Sequence, residues 1–291
     1  MIYPNNLLFC ILLIPLLGSI FLMTVSFKYS KFLKSIALTI ACITFVFSLI
    51  LWFFFDKSLG SFQFCTSQVW FLEYSLTFSL GVDGISLFFV ILTTLLIPIC
   101  LLISWTSVNH SLKIYLVLFL IMESMLIGVF CILDILLFYI FFESVLIPMF
   151  LIIGIWGSRE RKIRASFLFF LYTLFGSVSM LLSILYIYYQ SGTTDYKVLL
   201  SFSFSFFEQK FLWFSFFLSF ATKVPMIPAH LWLPEAHVEA PTSGSVVLAG
   251  VLLKLGVYGF IRFSLPLFPE ACFYFSPMVY SLAGAGIVYS V

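Results

Sequence analysis

Residues 138–159 read "FYIFFESVLIPMFLIIGIWGSR". A helix needs about 20 apolar residues to cross the hydrocarbon core of a bilayer, and this run supplies them. It carries one carboxylate, Glu143, near its middle, with Pro148 a turn beyond, and it leads into the basic block "GSRERKIR". Outward from it, the 291-residue chain keeps the same character: 63% of residues are hydrophobic, 9% are charged and mean hydropathy is +1.20. A soluble domain carries about 25% charged residues. So little polar surface cannot cover a globule, and the apolar residues come in membrane-length blocks. The expected fold is an all-α membrane protein.

The apolar blocks predict about nine spans, at 6–27, 32–55, 84–105, 113–133, 135–156, 165–190, 211–234 and 243–263, with a last one starting near 274. Short connections predict antiparallel neighbours. Residues 56–83 mix aromatics, Thr and Gly and are expected to form a hairpin or surface helix. Residues 191–210, with "QSGTTDYKVLL", are expected on the membrane surface. Lys28, Lys31, Lys34, Lys113, Arg159, Arg161, Lys162 and Arg164 fall on one side, which makes eight; Lys57, Lys197, Lys210 and Arg262 fall on the other, which makes four. The positive-inside rule therefore puts the basic loop on the cytoplasmic or matrix side and the N-terminus opposite. The six cysteines are scattered with no CxxC, and most read as small core hydrophobes. Phenylalanine, at 39 residues, fits an AT-rich organellar genome. Nothing points to a nucleic-acid partner.

Four ionisable residues fall near span centres: Glu123, Glu143, Lys223 and Lys254. Each such charge costs about 2.5–3.5 kcal/mol on insertion scales. Lys254, with about ten residues of helix on either side, sits too deep for its stem to reach water. Replacing buried ion pairs by packed apolar groups is often neutral or stabilising, so stability is a weak reason to keep them. Pro148 cannot donate to the Ser144 carbonyl, which loosens the helix beside Glu143. In "ATKVPMIPAHLWLP", Pro225 and Pro228 are expected to free the carbonyls of Ala221 and Val224 on either side of Lys223. Broken backbone at membrane depth persists only inside protein or beside a water-filled cavity. Gly250, one turn before Lys254, leaves room for a water or a close helix. Burial disfavours the charged form of carboxyl and ammonium alike, so such groups load and release protons. Moving two of them from about 4 to about 8 Å apart at an effective dielectric near 20 changes their interaction by roughly 2 kcal/mol. One charge crossing 100 mV involves about 2.3 kcal/mol, so the scales match.

No dinucleotide fingerprint, Walker motif or haem site is visible. His230, Glu235, His237 and Glu239 in "HLWLPEAHVEAP" are the one cluster with metal-ligand chemistry. The spacing is not HExxH, and Pro234 and Pro241 interrupt it, so a proton-access loop is expected there and no metal.

These stretches, together with "LGVDGISLFFVILTTLLIPIC", "ATKVPMIPAHLWLPEAHVEAPTSGSVVLAGVLLKLGVYGF" and "GTTD", resemble the NADH dehydrogenase subunit 4 family, the antiporter-like membrane subunits of respiratory complex I. The resemblance implies a proton-pumping subunit in the mitochondrial inner membrane, or the plasma membrane of a bacterium. It implies residues 1–112 as spans one to three, 113–263 as the first five-helix antiporter-like repeat with a broken seventh helix, and 264–291 as the start of a second repeat. Proton transfer would fall to Glu143, Lys223, Lys254 and Glu123. No cofactor is implied on this chain, because FMN, iron–sulfur clusters and ubiquinone belong to other subunits. The implied partners are other membrane-arm subunits, a second polypeptide carrying the missing spans, and lipids such as cardiolipin. The related Mrp-type cation/proton antiporter subunits are similar too, and a non-pumping scaffold fragment is the third alternative.

Overall fold

The computed structural model describes residues 6–26, 30–71 and 76–290; Lys28, one of the loop charges counted above, lies outside them. Apolar runs become helices at every expected place: α1 (Leu7–Thr24), α2 (Ser30–Phe53), α3 (Gly84–Ser107), α4 (Leu112–Cys131), α5 (Ile135–Ser144) with α6 (Leu146–Trp156), and α7 (Lys162–Ser191). Between α2 and α3 the hairpin alternative is realised. Strands β1 (Gln63–Phe71) and β2 (Leu76–Val82) pair antiparallel with Thr66 opposite Leu80 and Gln68 opposite Phe78. The surface segment after α7 holds one short helical turn, α8 (Tyr196–Leu199).

Eight helical stretches among the described residues are long and apolar enough to cross a membrane. A further helix, α9 (Phe206–Lys223), is 18 residues long and carries Glu208, Lys210 and Lys223. It corrects the expected span at 211–234 at both ends. A capping box starts it early: the Glu208 carboxylate accepts from the Ser205 amide at 2.9 Å and from its hydroxyl at 2.7 Å. Pro225 stops it early, and α10 (Trp232–Glu239) follows after a turn.

The next crossing runs from Thr242 to Leu267 as α11 (Thr242–Val247), α12 (Leu253–Gly259) and α13 (Leu265–Leu267), joined by π-helical turns at Leu248–Leu252 and Phe260–Ser264. The last helix is α14 (Pro269–Ser290). Helix α4 is the most enclosed of the membrane-length stretches, packed on α1, α2, α3, α5 and α6, whereas α14 is the least enclosed.

Three lysines on one face hold helix ends. Lys113 at the start of α4 donates to the Met23 and Val25 carbonyls at the end of α1 (2.6 and 2.8 Å). Lys34 reaches Trp105 at the end of α3 (2.5 Å), and Lys162 reaches Ile155 at the end of α6 (2.8 Å). Part of the positive bias is thus helix capping, where a cation meets unsatisfied carbonyls and the negative end of the macrodipole. On the opposite face, Asp134 caps α5 by accepting from the Leu137 amide at 3.0 Å and also accepts from the Thr194 hydroxyl. Burial pushes the Asp134 carboxyl above its ordinary value. The cysteines divide: Cys100 and Cys131 are buried, Cys10 and Cys272 half-buried, and Cys42 and Cys65 exposed, against the expectation that most are core.

Candidate proton-transfer site

Lys223 is the last residue of α9 and is buried. Its ammonium donates to the Phe142 carbonyl at 2.9 Å and lies 3.7 Å from the centroid of the Phe142 ring. The backbone allows this because α5 ends at Ser144 and α6 begins at Leu146, the interruption expected from Pro148. A cation at a helix C-terminus also meets the favourable end of the dipole. The carbonyls around Lys223 are less free than the prolines alone suggest. Ala221 accepts from the Met226 amide at 2.9 Å and Thr222 from the Trp232 indole at 2.8 Å, so only part of the expected opening remains.

Glu143 is the next residue after that carbonyl. Both of its carboxylate oxygens are enclosed, and neither has a hydrogen-bond partner. Lys223 and Ser177 are the polar groups acting on it. The Ser177 hydroxyl gives its proton to the Leu174 carbonyl at 2.9 Å. Among the described residues no ion pair within 4.0 Å joins Glu143 to Lys223. An ammonium held by a carbonyl beside an unbonded carboxylate is a pair whose interaction can change with a small side-chain movement.

Lys254 departs from expectation. It lies midway along the Thr242–Leu267 crossing, but it is exposed on the outside of this bundle. It shares an outward stripe with Val257, Ile261 and Leu265, while Leu255 and Tyr258 face inward. The π turns on either side shift the helix phase, and the Lys254 ammonium donates to the Ala249 carbonyl inside the first of them. Gly250 admits a neighbouring helix: a Cβ there would stand 2.7 Å from Leu96 Cδ1 of α3.

Glu123 is fully buried but is not paired with a lysine; its Oε1 accepts from the Thr44 hydroxyl of α2 at 2.5 Å. The four residues of the loop cluster separate. Glu235 and Glu239, one turn apart on α10, line a cleft of about 580 Å³ with Arg159 and Arg161. Glu235 stands 4.0 Å from Arg164, both substantially exposed, and Glu239 is buried with Oε2 unbonded. The His230 ring meets Tyr289 edge-on at 5.4 Å, and its Nδ1 has no partner. His237 is half-buried, and burial lowers its ring below the ordinary histidine value.

One cluster escaped the sequence reading. Arg262 donates to Asp83 Oδ2 at 2.9 Å, to Ser86 Oγ at 2.8 Å and to the Tyr258 hydroxyl at 3.2 Å. Asp83 caps α3 through the Ser86 amide at 2.9 Å. The available signal was "DGIS" at the head of a span, an N-cap pattern. Its arginine partner lies 179 residues away and carries no local mark.

The architecture defines a class: a multi-span helix bundle with a lysine at the end of an interrupted helix, beside a carboxylate on a second interrupted helix. The chain belongs to the NADH:quinone oxidoreductase/Mrp antiporter transmembrane family, whose pattern matches residues 132–290. It is 57% identical over 278 residues to NADH-ubiquinone oxidoreductase chain 4 of Chondrus crispus and 57% identical over 280 residues to that of Arabidopsis thaliana. Each alignment covers 96% of this chain and 56% or 57% of the relative, so the chain spans just over half their length. A chain of the Thermus thermophilus respiratory complex I superposes with a TM-score of 0.83 at 29% identity, covering 95% of this chain and 56% of that one.

Proposed function

We propose that this chain is a proton-translocating membrane subunit of NADH:ubiquinone oxidoreductase in the mitochondrial inner membrane, with FMN, iron–sulfur clusters and ubiquinone held by other subunits. The observation that carries the reading is the buried Lys223 ammonium on the Phe142 carbonyl, next to the unbonded carboxylate of Glu143. Glu143 and Lys223 trade a proton as their separation changes. Lys254, facing outward, passes it towards whatever packs against α12 and α14, and the family's remaining spans fit there, including spans on a second polypeptide. Glu123 is a separate proton-holding group. In this reading residues 1–112 frame the first repeat at 113–263, and 264–291 opens the second. The Glu235–Glu239 cleft, with its arginines, is the water-side access point, and anionic lipids such as cardiolipin match the charge of the basic loop. Similarity to relatives named as complex I chain 4 favours this reading over an Mrp-type antiporter.

The test is Glu143→Gln and Lys223→Met in the assembled complex. Assembly and NADH oxidation by a soluble electron acceptor should stay near normal. Coupled turnover should fall by about 10²-fold, the low end for a lost acid–base group. Normal proton pumping in both assembled variants would falsify the reading and leave the scaffold alternative.

A further inference from the structure

Glu123 sits in the middle of the most enclosed helix with no exposed surface. Oε1 meets the Thr44 hydroxyl and Oε2 meets no donor at all. No lysine or arginine lies within 4.0 Å of it among the described residues. A carboxylate in such a place lacks the compensation that buried charges need, and among those residues Thr44 is the one side chain that meets it.

That partner can serve both forms of the carboxyl. Thr44 Oγ1 stands 2.5 Å from Glu123 Oε1 and 2.8 Å from the Ala41 carbonyl. A hydroxyl has one proton and two acceptor lone pairs. That proton serves the carboxylate when Glu123 is ionised. When Glu123 is a carboxylic acid, its own O–H is donated to Thr44, which turns its proton to Ala41. One turn along α2, Ser48 repeats the arrangement, lying 2.7 Å from the Phe45 carbonyl and 2.8 Å from Thr94 Oγ1 of α3. Thr94 in turn lies 3.0 Å from the Val90 carbonyl. Two buried hydroxyl contacts thus lie one turn apart on α2, Thr44 on Glu123 of α4 and Ser48 on Thr94 of α3, outside the Glu143–Lys223 pair.

We propose that Thr44 is the positioning residue of a second proton-holding site at Glu123, reversing its hydrogen bond each time the carboxyl loads. In loading, a hydronium ion gives one proton to the unbonded Oε2 of the carboxylate and leaves as water. The carboxyl then turns over and donates that proton to Thr44, which keeps its own O–H bond throughout. The inference rests on the proposed proton-translocating function and adds a positioning residue to it.

The experiment uses the assembled complex in proteoliposomes with Thr44→Val, Thr44→Ala, Thr44→Ser and Glu123→Gln. NADH-driven proton uptake and the infrared difference spectrum on turnover are both recorded. Thr44→Val should lower coupled turnover about tenfold, the effect of losing one hydrogen bond to a charged group. It should also shift the carboxyl stretching band that Glu123→Gln abolishes, whereas Thr44→Ser should restore both. If Thr44→Val blocks assembly, Thr44→Ala carries the same expectation with less bulk. Unchanged turnover and band position in the assembled hydroxyl-free variant would overturn the proposal. So would a silent Glu123→Gln alongside an inactive Glu143→Gln, which leaves the proposed function standing. Silent Glu143→Gln and Lys223→Met instead overturn the function itself.

Discussion

Asp83 and Arg262 show how a half-buried charge is kept at the end of a bundle. The guanidinium has an aspartate, a serine and a tyrosine on its nitrogens, and the Phe62 ring lies 4.7 Å from its centre. Burial alone pushes the Asp83 carboxyl up; Arg262 and Ser86 outweigh it and hold the group below its ordinary value of 3.8. A depressed carboxyl contributes stability that is complete above its unfolded value and is lost as pH falls through the lower folded one. Between pH 7 and 5, then, the pair contributes constantly. Asp83→Asn should cost about 2 kcal/mol, below the usual loss for breaking a buried pair because part of the site is exposed. Thermal scans of the solubilised complex would read it as a lower midpoint, by the same margin at pH 7 and pH 5.

At the scale of elements, the interrupted helix α9 depends on the glycines of α12. A Cβ at Gly256 would stand 2.6 Å from Val224 Cγ2 and 2.9 Å from the Phe220 carbonyl oxygen, a backbone atom that cannot step aside. Gly256→Ala should therefore cost about 1–3 kcal/mol, the usual range for overpacking, and lower the yield of assembled complex on native gels. Gly250→Ala meets only the Leu96 methyl and should cost less. Equal yields for the two variants would show that the α9 end does not need this close approach. The break near Glu143 was legible from Pro148. The π turns that aim Lys254 outward were not, because no residue type marks a π turn as proline marks a break.

The molecule as a whole has two chemically distinct faces, one gathering the helix-capping lysines and the arginine block, the other the hairpin and the Asp134–Thr194 contact. Ser158 and Ser61 are exposed, one on each face. In a chain whose exposed hairpin thiol is removed by Cys65→Ser, a membrane-impermeant thiol reagent should therefore label Ser158→Cys only from the cytoplasmic or matrix side and Ser61→Cys only from the other. The reversed pattern would refute the orientation, and labelling of both from one side would refute the two-face arrangement.

Sequence alone determined where most of the membrane-length helices and the two helix breaks fall, because length, hydropathy and proline act locally along the chain. Tertiary structure decided which way each charge points. Thr44 meets Glu123 across 79 residues, Arg262 meets Asp83 across 179, and Lys254 faces out. In a bilayer the outside of a bundle is as apolar as its interior. Hydropathy therefore places a residue along the membrane normal but gives almost no phase around the helix, and only packing supplies that.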